Sequence, residues 1–66
     1  MKNNIKVERA IHQLTQDDLS KKIGVSRQTI NAMEANKYVP STVLALKIAL
    51  LFNKRVEDIF MLEETD

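Results

Sequence analysis

Apolar positions along this chain recur mostly three and four apart, the period of helices that bury one face. Leu19 and Ile23 lie four apart and Ile30 and Met33 three apart, with Val25 between the two pairs, so all five can meet in one core. The breaks between runs predict where each helix starts and stops. A first helix begins near Val7 or a residue or two earlier and ends over Arg9 to Leu14. Thr15 then caps Gln16 to Ile23: its hydroxyl can accept the orphan amide near Asp18, acids fill the first turn, and Lys21 and Lys22 fill the last. Gly24, the only glycine, follows where a helix must stop in a left-handed conformation. Ser26 caps a third helix to about Ala35, Asn36 terminates it, and Pro40 bars helix through the turn. Ser41 caps a fourth helix, Thr42 to Phe52, and a last short helix covers about Val56 to Phe60.

The second and third helices, joined by a short turn containing glycine, form a helix-turn-helix unit. From spacing alone a plain αα-hairpin with no DNA role serves equally well. The fourth helix is apolar nearly all round, broken only by Lys47. Leu44, Ile48 and Leu51 make a sufficient inward stripe, which leaves Val43, Leu46 or Leu50 looking outward with Val56, Ile59, Phe60 and Leu62. A buried central helix is the bland explanation. A monomer this small rarely covers such a helix, so Leu50, Val56, Ile59, Phe60 and Leu62 are expected at a homodimer interface, in a C-terminal segment of about residues 50–66. The alternation Phe60-Met61-Leu62-Glu63 also allows a terminal strand paired with the segment around Asn4 to Lys6.

Composition narrows the class. Sixty-six residues with 44% apolar side chains make one small domain, expected over 1–66, with a thin core. The chain has no cysteine, hence no disulfide framework and no thiolate metal site. It has no run of 18 apolar residues to span a membrane, and its start lacks the apolar stretch of a signal peptide, so a cytoplasmic protein is expected. The net charge of +1 hides an asymmetry: residues 1–38 carry seven basic and four acidic groups, residues 39–66 three basic and five acidic, all five within the last ten. A basic front half can face a polyanion, although on charge alone an ordinary solvated surface is the favoured explanation. No glycine-rich phosphate loop, no cysteine, and no serine placed near a histidine offers a catalytic constellation, so no enzyme and no cofactor are expected. His12, four residues after Glu8 on one helical face, reads as a surface pair, and a metal site would need more ligands. Nothing evident would take a small-molecule ligand.

The string from Leu14 to Ser41, LTQDDLSKKIGVSRQTINAMEANKYVPS, closely resembles the helix-turn-helix domain of the xenobiotic-response-element family, which includes the lambda and Cro-type repressors. Within it the chain is most similar to the very small regulators of the cytolysin-repressor type, and the resemblance covers about residues 5 to 60. It implies an all-α fold, a lambda repressor-like bundle of four to five short helices with a helix-turn-helix unit at about 16–35 and room for a small terminal β-ribbon. It implies a sequence-specific transcriptional regulator, a repressor, binding double-stranded DNA at an inverted repeat as a homodimer. In the family the helix starting at Ser26 lies in the major groove and that starting at Gln16 crosses the phosphate backbone. The residues suit those roles. With Ile30 and Met33 inward, Arg27, Gln28, Asn31 and Ala32 point out; arginine can bridge guanine O6 and N7, glutamine adenine N6 and N7, and a small alanine allows close approach to a thymine methyl. Ser26 and Thr29 can donate to phosphates or bases, Gln16 can join backbone amides around a phosphate, and Lys37 and Tyr38 form a further backbone clamp. Arg9 and Glu34 match positions that tie the first helix to the end of the recognition helix by an ion pair. The chain departs from the family at Glu8, usually apolar, at Ser20, usually alanine, and at Ile11, usually polar. Two other functions share this scaffold: the antitoxin of a toxin–antitoxin pair, and a helical protein-interaction module without DNA binding.

Overall fold

In a computed structural model describing residues 1–66, five helices and two short strands follow in the order β1 (Lys2–Asn3), α1 (Ile5–Ile11), α2 (Gln16–Ile23), α3 (Arg27–Glu34), α4 (Thr42–Phe52), α5 (Val56–Ile59) and β2 (Phe60–Met61). Hydroxyl side chains start the three central helices. The Thr15 hydroxyl accepts from the Asp18 amide at 3.0 Å while the Asp18 carboxylate accepts from the Thr15 amide at 3.0 Å, a reciprocal capping box. Ser26 accepts from the Thr29 amide at 3.1 Å and Ser41 from the Leu44 amide at 3.2 Å.

Four helix ends share one device. Gln13, Gly24, Asn36 and Asn53 have φ of 56°, 76°, 61° and 54°. In each case the next amide, of Leu14, Val25, Lys37 or Lys54, donates to the carbonyl five residues back at 2.9–3.0 Å. A Cβ at Gly24 would meet no atom within 4 Å, so glycine is favoured there by its backbone conformation and not by lack of space.

Eleven apolar residues drawn from all five helices and β2 form one core: Ile5, Leu19, Ile23, Ile30, Met33, Leu44, Ile48, Ala49, Phe52, Ile59 and Phe60. Val25 packs at its edge. α2 packs on α3 and on α4, α4 on α5, and α5 leads directly into the antiparallel β1–β2 ribbon. Glu8 and Ser20 are the two buried polar residues. Ser20 fits a space suited to alanine because its hydroxyl donates to the Asp17 carbonyl at 2.7 Å.

Several details differ from the sequence expectation. α1 ends at Ile11, not Leu14, because Gln13 turns left-handed and sends Leu14 back to the Arg9 carbonyl. The ribbon pairs Lys2 with Met61 and Asn3 with Phe60, ahead of the expected Asn4 to Lys6, since α1 already occupies residues from Ile5. Ile59 and Phe60, expected at an outer interface, are core residues: α5 folds back on α4 and turns both inward. Val56 is half-buried against the same core, whereas Leu50 and Leu62 are exposed. In α4 the inward stripe is Leu44, Ile48, Ala49 and Phe52, with Leu51 only half-buried. His12 and Glu8 are no surface pair. The Glu8 carboxylate is buried and reaches Lys54 at 3.1 Å, while the His12 ring meets the Glu8 backbone carbonyl at 2.9 Å and stacks near Phe52 with centroids 5.0 Å apart.

Candidate nucleic-acid interface

The outer face of α3 follows from its inner one. Ile30 and Met33 are anchored in the core, and the helix period then turns Arg27, Gln28 and Asn31 to solvent with Ala32 partly covered. These three polar side chains, with Gln16 from the first turn of α2, line a shallow hollow of about 320 Å³ with no apolar residue in its wall. Such a surface suits the edges of base pairs, which offer mixed donors and acceptors.

Charge is left free at this face. Arg27 and Lys37 have no carboxylate partner, as is also true of Lys2, Lys6, Lys22 and Lys47, whereas Arg9, Lys21, Lys54 and Arg55 are each paired. Tyr38, 44% exposed, stands beside Lys37 in the middle of the connection between α3 and α4. At the other end of α3 the Ser26 and Thr29 hydroxyls lie 2.9 Å apart. One hydroxyl donates to the other, so the pair keeps one hydrogen to donate outward while Ser26 still caps the helix.

Behind the face lies a buried anchor. The Arg9 guanidinium donates twice to Glu34, at 2.6 and 3.0 Å, and once to the Leu14 carbonyl at 3.0 Å, joining α1 to α3 across the turn that precedes α2. The Glu34 side chain is 7% exposed. Burial pushes its carboxyl up, but the hydrogen bonds from Arg9 and Gln16 outweigh it and hold the group below the usual carboxylate range. The hydrogen bonds to Glu34 push the Arg9 guanidinium up in turn. Asp18 is held low by the Thr15 amide and hydroxyl, so the acid stays charged in the first turn of α2.

Gln16 sits where expected but its side chain is engaged differently. Its amide nitrogen turns back to the protein, to Glu34 at 3.1 Å and Asn31 at 3.3 Å, and is not free to donate to a phosphate. The Gln16 and Asp17 backbone amides, in the unsatisfied first turn of α2, remain available for that role. One contributor was missed altogether. The Asn3 side chain donates to the Met33 carbonyl at 2.8 Å and to Asn36 at 3.1 Å, tying the terminal ribbon to the end of α3. No periodicity marks an asparagine in a two-residue strand as a partner of a helix thirty residues away.

Val39, Val43, Leu46 and Leu50 are between 55% and 83% exposed, and Leu62 is 82% exposed. No helix is long and apolar enough to cross a membrane.

Comparison with known proteins agrees with the geometry. A family model described as helix-turn-helix matches residues 5–59. Relatives described as HTH-type transcriptional regulators include one from Methanocaldococcus jannaschii, 58% identical over 66 residues, covering all of both chains. One from Archaeoglobus fulgidus is 47% identical over 66 residues, all of this chain and 93% of the relative. One from Bacillus subtilis is 48% identical over 64 residues, 97% of each. With the motif from Leu14 to Ser41, the packed helix pair α2–α3 and these matches over nearly the whole chain, the protein belongs to the helix-turn-helix family, of the Cro/C1 or xenobiotic-response-element type.

Proposed function

We propose that this DNA-binding, non-enzymatic transcription regulator acts as a homodimeric repressor at an inverted-repeat operator, with α3 in the major groove. The observation that carries the reading is the outer face of α3. Arg27, Gln28 and Asn31 are exposed together, the arginine lacks a carboxylate partner, and the free amides of the α2 N-terminus lie beside them for a phosphate. Lys37 and Tyr38 extend the backbone contact. The Arg9–Glu34 pair and Asn3 fix the angle at which α3 is presented.

Dimerisation is supported by the exposed apolar strip of Val39, Val43, Leu46 and Leu50, with Leu62 and half-buried Val56 near the C-terminus. Two copies related by a twofold axis present two recognition helices, and the half-sites are then expected about 10 to 10.5 base pairs apart, centre to centre. Selection of bound duplexes from a random pool tests this. An inverted repeat with that spacing supports the reading. A site without a dyad removes the dimeric arrangement, and no enrichment at all removes sequence-specific binding.

A further inference from the structure

The Gln16 side chain is half-buried at the edge of the hollow, and its amide nitrogen is turned toward the protein and not toward an incoming phosphate. Its two amide hydrogens are directed at Glu34 Oε1, 3.1 Å away, and at Asn31 Oδ1, 3.3 Å away. The polarity of this arrangement follows from chemistry and not from the assignment of amide atoms. Glu34, held by Arg9 through two hydrogen bonds and nearly buried, is a carboxylate and can only accept. Gln16 must therefore turn its NH2 group toward Glu34. The same NH2 group faces Asn31, which must answer with its carbonyl oxygen. The NH2 of Asn31 is left on the far side of its amide, at the exposed surface beside Arg27 and Gln28.

We infer that Gln16 is a specificity-setting positioning residue: through the relay Arg9–Glu34–Gln16–Asn31 it fixes Asn31 as a donor toward the DNA. The inference rests on the proposed major-groove role of α3. A free asparagine reads adenine by giving one hydrogen bond to N7 and accepting one from N6. An asparagine whose oxygen is turned to Gln16, away from the bases, and whose two hydrogens face the groove matches an edge with two acceptors. Among the bases only guanine, through N7 and O6, presents that pair. The buried charge of Glu34 is thus transmitted, through two neutral amides, into a choice between guanine and adenine at one base pair of each half-site.

The test is selection from a random duplex pool with the wild type and three variants, Asn31→Ala, Gln16→Met and Gln16→Ala, each first checked for an unchanged far-ultraviolet spectrum. The base pair whose preference disappears in Asn31→Ala is the one that Asn31 reads. At that pair the wild type should select guanine. Gln16→Met and Gln16→Ala should lower the guanine-to-adenine ratio there by about tenfold, while preferences set by Arg27 and Gln28 stay as they were. A residue that only supports the fold or touches phosphate would weaken all sequences alike. The inference is overturned if both Gln16 variants keep the wild-type preferences at reduced affinity, if the wild type already selects adenine at that pair, or if Asn31→Ala changes no preference while other positions remain specific. A wild type that enriches no sequence overturns the proposed function itself, and this inference with it.

Discussion

Replacing the two ends of the Glu8–Lys54 ion pair one at a time should change stability in opposite directions. The Glu8 side chain is only 5% exposed, and its second carboxylate oxygen, Oε1, is buried without a hydrogen-bond partner. An unsatisfied buried acceptor of this kind costs about 1–3 kcal/mol. Lys54, 43% exposed, remains largely in water even while paired. In Glu8→Leu the buried charge disappears, the leucine extends the core beside Ile5, one turn earlier on α1, and the Lys54 ammonium turns to solvent. Replacing buried ions by apolar groups of similar volume is commonly neutral or stabilising, and here a gain of up to about 2 kcal/mol is expected. Lys54→Met does the reverse, stranding the carboxylate. Loss of a fully buried partner costs about 3–5 kcal/mol, and the exposure of Lys54 scales this down to about 1–3 kcal/mol. At this chain length each kcal/mol moves the thermal midpoint by about 4–8 °C. Thermal and urea unfolding followed by circular dichroism at one fixed protein concentration measures both changes, the concentration being held because association shifts the midpoint. The double variant should resemble Glu8→Leu, since methionine at 54 does harm only while a carboxylate lies beneath it. A destabilisation of about 2 kcal/mol or more in Glu8→Leu, the scale of a lost core contact, or simple additivity of the two changes, refutes this reading of the pair.

Arg27→Ala should weaken binding to the selected operator by about 1–3 kcal/mol and leave random duplex nearly unaffected, whereas Lys37→Ala should weaken both and reduce the salt slope by about one; filter binding or fluorescence anisotropy across a salt series separates them. Leu50→Glu should leave the protomer folded, because Leu50 is 83% exposed, yet shift a sedimentation profile from dimer to monomer. Phe60 is unsuited to that test, since at 7% exposure a charge there would disrupt the core itself. Glu34 is held below its ordinary value of 4.5, so its contribution to stability is complete above that pH and is lost as pH falls from there through the folded-state value. Acid titrations of unfolding free energy should show a shallower decline below that pH in Glu34→Gln than in the wild type.

The local chemistry of this fold is written plainly in the chain. Thr15, Ser26 and Ser41 cap helices because a short hydroxyl next to an apolar-periodic run has few other uses, and Gly24 closes α2 because the left-handed turn there favours it. The inward and outward faces of α3 follow from the three-residue spacing of Ile30 and Met33. Features that depend on distant partners were not legible. Glu8 looks like any surface acid until Lys54, 46 residues on, closes over it. Ile59 and Phe60 turn inward only because α5 folds back on α4. Gln13 ends α1 in a left-handed conformation that glutamine seldom adopts, so no residue preference announces the stop. At the candidate site, the exposed positions of Arg27, Gln28 and Asn31 follow from periodicity. The engagement of Gln16 with Glu34 and Asn31 requires the packing angle between α2 and α3, which a one-dimensional pattern does not contain.

Titrating the isotope-labelled protein with its selected duplex and mapping amide chemical shifts shows whether DNA is read by α3 with the N-terminus of α2 on the backbone. The largest changes are expected at Gln16, Asp17, Ser26, Arg27, Gln28, Thr29 and Asn31, a second group at Lys37 and Tyr38, and little change along Val43, Leu46 and Leu50. Large changes along α4 and α5, with the amides of α3 undisturbed at saturation, would contradict that arrangement.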